Sequence, residues 1–393
     1  MLQSAEIPWE ACTQLLFPAE VQEQLDLLRE QYGTATLVVW AAFVVGIFFG
    51  AVAEYSRYCA RAALAEWAPG AEREDASANG YVRTKQYLAA VLVALLGTQA
   101  LFATQNIDLA QSIYWSVGIQ PLALVTGGVL FGIGMVLAGG CVSRLVVLAA
   151  SGNGRSLVTL MVTGIAGYAT LRGLLSYPRI WLGDAADTGT TVASVYSAAS
   201  VPHLAVAGVI GAVLLAVLAW AVSRHGVRGM VTGALVGLSV VAGWAVTGIV
   251  GFDEFEPTQL QSLSFVAPVG ESLQYLMIFT GVSANYVIAL LGGVLAGAFG
   301  SALIGGRLRF RGFQSEGSLL RYVAGGVLMG FGGVTALGCS VGQGLSGLST
   351  ASFASVIAVL AIAGGGYAAM AVEARRRAQQ TGNGLNTALQ PAE

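Results

Sequence analysis

The sequence predicts an all-α, polytopic membrane protein with two inverted repeats, each containing a re-entrant half-helix at a Gly-Cys turn. Of the 393 residues, 55% are hydrophobic and 10% are charged, whereas soluble domains average about 45–50% apolar and 25% charged residues. Apolar stretches close to the ~20 residues that a spanning helix needs recur along the chain. In addition, one glycine-rich stretch that ends in a cysteine occurs twice.

Composition and missing motifs exclude several classes of protein. The net charge of −2 argues against nucleic acid as a partner. The sequence has no Walker motif, dinucleotide fingerprint or metal-ligand cluster, so no cofactor, metal site or catalytic residue is predicted, and the protein is not expected to be an enzyme. The four cysteines are too far apart for a CxxC redox or zinc pair. They are Cys12, Cys59, Cys141 and Cys339.

The elements follow in order from the hydrophobic pattern. Residues 1–33 are polar and acidic, unlike a cleavable signal peptide, and residues 14–31 have apolar side chains near the spacing of an amphipathic helix. The membrane segments themselves are therefore expected to direct insertion. Nine apolar stretches follow at about 35–53, 86–104, 120–138, 156–175, 203–222, 229–249, 284–304, 320–337 and 351–372.

The charges between these stretches predict a topology. Arginine and lysine in short loops mark the cytoplasmic side, which places residues 66–85, 305–321 and 375–377 inside, together with Arg224 and Arg228. The acidic loop 250–257 then falls outside. We expect an N-terminal segment over 1–33, a first membrane repeat over 34–200, a second over 201–375 and a cytoplasmic tail over 376–393, in a bacterial inner membrane.

The strongest internal signal is the repeated stretch. Residues 127–141 (GGVLFGIGMVLAGGC) align without gaps on residues 325–339 (GGVLMGFGGVTALGC), with ten of fifteen positions identical. The loop charges predict that the two copies run in opposite directions across the membrane. Inverted repeats are common in secondary transporters, where the substrate site lies near the midplane at the repeat interface and is built from broken helices.

After each repeated cysteine comes a helix-compatible piece, Val142–Ala150 and Ser340–Leu348. Each is too short to cross a bilayer, which predicts a re-entrant half-helix surrounded by protein or by a water-filled cavity. The free N–H groups at the start of such a helix attract anions. The glycines expected to support these turns are Gly139, Gly140, Gly338 and Gly342.

The thiols suit a sulfur-containing anion, because S–H is a weak, polarizable donor that can bind terminal sulfur and release it. Against this stands the packing role of a free cysteine, which behaves as a small hydrophobe in protein cores. Cys59 lies close to the ionisable Glu54 and Arg57. Arg57 and Arg144 are candidate anion attractors, with an interfacial, snorkelling position as the alternative for each.

These residues resemble the YeeE/YedE sulfur-transport family, and more closely its thiosulfate-transporting YeeE branch. The resemblance rests on SRYC at 56–59, GGVLFGIGMVLAGGC at 127–141 and GGVLMGFGGVTALGCSVGQGL at 325–345, in the family's order, and covers roughly 35–375. It implies that Cys59, Cys141 and Cys339 contact thiosulfate in turn along a central path. It also implies a separate TusA-like cytoplasmic sulfurtransferase that receives the sulfur.

The chain departs from the family pattern at three places: Val142-Ser143-Arg144 after the second cysteine, Leu337 where a glycine is usual, and Ala60-Arg61-Ala62-Ala63 after the first cysteine. An added arginine beside the site would favour a more highly charged or differently shaped anion. Three alternatives therefore stay open. They are a sulfite or selenium-compound transporter of the same fold, a membrane sulfurtransferase that forms a cysteine persulfide, and a scaffold without substrate.

Overall fold

A computed structural model of the chain describes residues 19–68, 81–104, 107–199, 203–227, 229–252, 258–310, 312 and 316–388. Over these residues the fold is helical, with a single isolated β-bridge between Gly118 and Thr191. The helices of the first half are α1 (Ala19–Tyr32), α2 (Thr34–Ser56), α3 (Ala60–Ala65), α4 (Val82–Ala103), α5 (Ile113–Ser116), α6 (Pro121–Leu137), α7 (Val142–Ala150), α8 (Gly154–Arg172), α9 (Ser176–Asp184) and α10 (Val192–Ala199).

The second half contains fewer short helices and two π-helical segments. The α-helices are α11 (His203–His225), α12 (Met230–Ala245), α13 (Val266–Met277), α14 (Tyr286–Ile304), α15 (Glu316–Thr335) and α16 (Phe353–Ala388). A π-helical segment, Val246–Val250, directly follows α12, and another, Gly342–Gly347, follows the third described cysteine.

Each of the nine predicted apolar stretches is helical. Within the described ranges, seven helices are long and apolar enough to cross a membrane, and the bent pair α8 and α9, with an angle of 58°, raises the number to eight. The stretch at 320–337 forms a shorter apolar helix, Leu319–Thr335. The predicted all-α, multi-pass membrane class is confirmed.

Helix packing relates the two halves of the chain. Helix α6 packs on α15 and α16, while α15 packs on α6 and α8. Likewise α2 packs along α14, and α12 packs along α4. If α6 is matched with α15, α8 with α16, α2 with α12 and α4 with α14, each of these contacts has a counterpart in the other half.

Glycines bring these helices into backbone contact. An added Cβ at Gly330 would lie 2.6 Å from the Thr163 carbonyl oxygen and 2.7 Å from the Gly167 amide nitrogen. At the repeat-equivalent Gly132 it would lie 2.6 Å from the amide nitrogen of Gly366. Small residues allow membrane helices to approach this closely. The equivalent glycines thus bring each copy of the repeated stretch into backbone contact with another helix.

The reciprocal contacts support the predicted two-repeat organisation. The opposite orientation of the copies, the re-entrant character of α7 and of the Gly342–Gly347 segment, and the boundaries at 34–200 and 201–375 stay predictions. Helix α16 runs without a break across the predicted start of the tail at residue 376. Several expectations lie outside the described residues, namely those on Cys12, Arg228, Arg311 and the acidic positions 253, 254 and 256 of the loop.

An ion pair joins two of the long helices. The Glu54 carboxylate of α2 accepts hydrogen bonds from Arg307 at 3.0 and 2.6 Å and from the Ser301 hydroxyl of α14 at 2.8 Å. Glu54 is buried, and the arginine contacts both of its oxygens. A two-point arginine–carboxylate contact fixes geometry as well as adding energy, so this pair holds the end of α2 that leads into the first cysteine turn.

Candidate functional site at three cysteine turns

The three described cysteines share one backbone feature. The residue two positions before each cysteine has a positive φ: Arg57 at 52°, Gly139 at 77° and Leu337 at 57°. This left-handed conformation costs a residue with a side chain roughly 1–2 kcal/mol. Two of the three positions hold such a residue, so the turns are maintained by the surrounding structure rather than by local preference.

A helix or helical turn begins after each cysteine. Cys59 is the N-cap of α3, and Cys141 is the N-cap of α7. Cys339 precedes the π-helical segment, where the Gly342 amide donates to the Cys339 sulfur at 3.3 Å. All three cysteines are free and buried, and each therefore presents its thiol at the start of a helical piece.

Cys59 and Cys141 form a close pair. Their sulfur atoms are 4.0 Å apart, and the Cys141 sulfur is 3.3 Å from the Ser143 hydroxyl. A disulfide requires about 2.05 Å between sulfurs, so these are two thiols in contact. Turns separated by 82 positions in the sequence thus meet at one point.

The third turn reaches the same place through its next residue. Ser340 directly follows Cys339 in the sequence, yet its side chain lies beside Cys141. The Tyr114 hydroxyl fixes this turn by donating to the Gly342 carbonyl at 2.8 Å. The two copies of the repeated stretch therefore end near one another, with Ser340 of the second copy beside Cys141 of the first.

Two tyrosines close the space among the turns. The rings of Tyr58 and Tyr87 are stacked, with centroids 6.1 Å apart and an interplanar angle of 15°. The Tyr87 hydroxyl donates to the Ser340 carbonyl at 3.2 Å. Tyr58 is within electrostatic reach of Cys59, Cys141 and Cys339 alike. Tyr58, which directly precedes Cys59 in the first turn, therefore stacks on the tyrosine that contacts the third turn.

Arginine side chains lie near this cluster. Arg144, in the first turn of α7, is within electrostatic reach of Cys59 and Cys141, and its Nη1 atom is buried without a hydrogen-bond partner in the described part of the chain. The Arg57 side chain is exposed. Arg83 donates to the Ser56 and Arg57 carbonyls and so adds a further cation at the first turn. An unpaired, buried guanidinium nitrogen favours an anion beside it.

The predicted supporting glycines lie in the second and third turns, and two of them are sterically constrained. At Gly338 an added Cβ would lie 3.1 Å from the Gln343 amide nitrogen, and at Gly342 it would lie 3.0 Å from the Ser264 hydroxyl. Gly139 has a positive φ, which favours glycine, whereas at Gly140 a Cβ would meet the Arg144 side chain at 3.4 Å and the Leu145 side chain at 3.8 Å. Their role in binding stays a prediction.

Chemically, the cluster offers thiols and hydroxyls in a buried setting with a cation near them. Thiols and hydroxyls can donate to sulfur and oxygen without the tight hold of an ion pair. No group of three or more metal-ligating side chains occurs among the residues that the structure describes. The arrangement is suited to holding a small anion briefly.

The sequence prediction included the cysteines and the arginines at 57 and 144 but missed Tyr58, Tyr87 and Ser340. Tyr58 stands inside the SRYC stretch, and its position one residue before a candidate cysteine was the available signal. Ser340 likewise directly follows Cys339. Tyr87 carries no comparable signal, because it lies within an unremarkable apolar helix. Arg83, assigned to a loop, donates to the Ser56 carbonyl at 2.7 Å and so supports the first turn.

Comparison with known proteins agrees with these features. A protein-family model described as "Sulphur transport" matches residues 55–368. The thiosulfate transporter TsuA of Spirochaeta thermophila is 24% identical over 358 residues, which is 82% of this chain and 94% of that protein. The thiosulfate transporter TsuA of Escherichia coli is 25% identical over 294 residues, 67% of this chain and 78% of that protein. Since the family match spans all three cysteine turns and most of the chain, the protein belongs to the sulphur transport family.

Proposed function

We propose that this protein takes up thiosulfate across the bacterial inner membrane along a path formed by Cys59, Cys141 and Cys339. The observation that carries the proposal is the contact of two free, buried thiols, Cys59 and Cys141, whose sulfurs are 4.0 Å apart. Beside them lies Ser340, in the turn that carries the third free, buried thiol, Cys339. A terminal sulfur atom can pass between donors at that spacing without a large movement. The two relatives that are named thiosulfate transporters support this choice of substrate.

The electrostatic layout supports an anion as substrate. Arg144 supplies a buried, unpartnered donor nitrogen beside the Cys59–Cys141 pair, and Arg57 adds a second cation at the exposed edge. Thiols further along the path are neutral donors, which bind an anion weakly enough for release. Conduction requires binding that permits both entry and exit, and a mixture of one cation with several thiols meets that need.

The proposed membrane topology is based on the repeat. We infer that the two copies are inverted, that the cysteine turns meet near the midplane, and that the C-terminus is cytoplasmic. The reciprocal contacts of α6 with α16 and of α15 with α8 support this arrangement. A separate TusA-like sulfurtransferase on the cytoplasmic side would then receive the sulfur and consume the imported anion.

A membrane sulfurtransferase is the second candidate, and the close Cys59–Cys141 pair is the observation that favours it. In that reaction a cysteine thiolate attacks the terminal sulfur of thiosulfate, the sulfur–sulfur bond breaks, and sulfite leaves with the bonding electron pair. The product is a cysteine persulfide. The neighbouring cysteine, as a thiolate, can then take the outer sulfur by exchange, and the first cysteine leaves as a thiolate. Only a sulfur atom, and not the whole anion, would then move.

Uptake into proteoliposomes separates the two candidates. Thiosulfate is supplied with the radiolabel in either the terminal or the central sulfur, and label inside the vesicles and label bound to protein are measured. Transport predicts equal accumulation of both labels and none on the protein. A terminal label that remains attached to protein while the central label stays outside would establish the sulfurtransferase and overturn the proposal. Uptake of sulfite or selenium compounds in place of thiosulfate would reassign the substrate.

A further inference from the structure

Among the tyrosines that surround the cysteine turns, Tyr58 has an unusual hydroxyl. The residue is 2% exposed, and its hydroxyl oxygen is buried without a hydrogen-bond partner in the described residues. The neighbouring Tyr87 and Tyr114 hydroxyls both donate to backbone carbonyls of the third turn. Buried polar groups in native proteins are almost always paired. An unpaired hydroxyl at this place therefore calls for a ligand.

A second unpaired hydroxyl lies in the same cluster. Ser340 is 4% exposed, and its Oγ atom has no nitrogen or oxygen partner in the described part of the chain. Its side chain lies beside Cys141, and its carbonyl is held by Tyr87, the residue on which Tyr58 stacks. The two hydroxyls belong to different turns, and the Tyr58–Tyr87 stack links the first turn to the Ser340 carbonyl of the third.

We propose that the Tyr58 and Ser340 hydroxyls form an oxyanion subsite that binds the sulfonate oxygens of the substrate while the thiols contact its terminal sulfur. The inference rests on the proposed function and specifies how that site selects its substrate. Thiosulfate has one terminal sulfur and three oxygens, and O–H groups are better donors to oxygen than S–H groups are. Thiols alone would not distinguish thiosulfate from other sulfur anions.

Neutral hydroxyls suit this role for a physical reason. Each hydrogen bond to a charged acceptor increases the binding affinity roughly tenfold to 100-fold. This difference is sufficient to select one anion over another. A site built to hydrogen-bond its substrate also rejects analogues that leave its buried polar groups unpaired. The subsite therefore predicts preference for anions that carry both a terminal sulfur and oxygens.

The test compares Tyr58→Phe with Tyr286→Phe. Tyr286 is a matched control, because it is also buried with an unpartnered hydroxyl and is assigned no contact with substrate. Uptake of thiosulfate is measured with inhibition by sulfite, which carries oxygens, and by hydrosulfide, which carries none. Tyr58→Phe keeps the stacked ring. It should raise the KM for thiosulfate roughly tenfold to 100-fold, with the maximal rate within about twofold.

Inhibition by sulfite should weaken in Tyr58→Phe, inhibition by hydrosulfide should stay unchanged, and Tyr286→Phe should behave as wild type throughout. An unchanged KM would overturn the proposed subsite. Equal weakening of the inhibition by sulfite and by hydrosulfide would also overturn it, because it would indicate general damage to the site. If Tyr58→Phe does not fold, the KM for thiosulfate and the inhibition by sulfite and by hydrosulfide are compared between Ser340→Ala and wild type instead. Absence of thiosulfate uptake in wild type would instead refute the proposed function itself.

Discussion

Replacing Gly330 by alanine tests whether glycine contacts set the position of the cysteine turns. The added Cβ would lie 2.6 Å from the Thr163 carbonyl oxygen and 2.7 Å from the Gly167 amide nitrogen, both backbone atoms of α8. Cβ atoms essentially never come closer than 3.0 Å, and ordinary contact begins near 3.4 Å. Helix α15 must therefore move away from α8 by roughly 0.4–0.8 Å to accept the added Cβ.

Such overpacking costs about 1–3 kcal/mol, against which alanine gains up to about 1 kcal/mol over glycine in a helix. Gly364→Ala in α16 is the matched control, because an added Cβ there meets nothing within 4 Å. We expect Gly330→Ala to be less stable than Gly364→Ala by about 1–3 kcal/mol and to lose uptake activity, whereas the control keeps it.

Unfolding in detergent, followed by denaturant or by heat, provides the comparison, with uptake measured on the same preparations. Gly132→Ala should behave like Gly330→Ala, because its Cβ would meet the repeat-equivalent backbone of α16. Equal stability of Gly330→Ala and Gly364→Ala would refute the reasoning, because the close backbone contact at Gly330 would then have no effect on stability.

Three further predictions concern the turns. Mild oxidation should cross-link Cys59 to Cys141, whose sulfurs are 4.0 Å apart, and should abolish uptake until a reductant is added; mass spectrometry that finds no such bond would contradict the pairing. Gly139→Ala should cost only about 1–2 kcal/mol in unfolding experiments, because φ is 77° there but the nearest atom to a Cβ is 3.9 Å away; a larger loss would indicate an unseen clash. Glu54→Gln should lower stability by about 1–3 kcal/mol by leaving Arg307 without its carboxylate, and stability equal to wild type would show that the pair contributes nothing.

Part of this structure follows from the sequence because the signals are local. The predicted half-helix Val142–Ala150 has the same bounds as α7, since glycines precede it and a Ser-Gly-Asn-Gly turn ends it. The corresponding second piece is π-helical over Gly342–Gly347, because three glycines in six residues weaken the α-helical preference. The repeat was visible because close helix contact demands glycine at fixed spacing.

Other parts could not be predicted, because they depend on elements that are distant in sequence. The Glu54–Arg307 pair spans 253 positions, and Tyr87 meets the Ser340 carbonyl across the same separation. The positive φ at Leu337 runs against the preference of leucine and has no local signal. Which hydroxyls stay unpartnered is likewise a property of the assembled turns, so the proposed oxyanion subsite emerges only from the structure.

Uptake of radiolabelled thiosulfate by Cys141→Ser and Cys339→Ser proteoliposomes tests the central claim most directly. Serine keeps the approximate size of the side chain, and thermal unfolding of the same preparations checks that each variant is folded. The proposed path predicts that both folded variants lose at least about tenfold in uptake rate, because a polarizable contact to the terminal sulfur is gone. Uptake at the wild-type rate in both folded variants would contradict the path and assign the cysteines to packing.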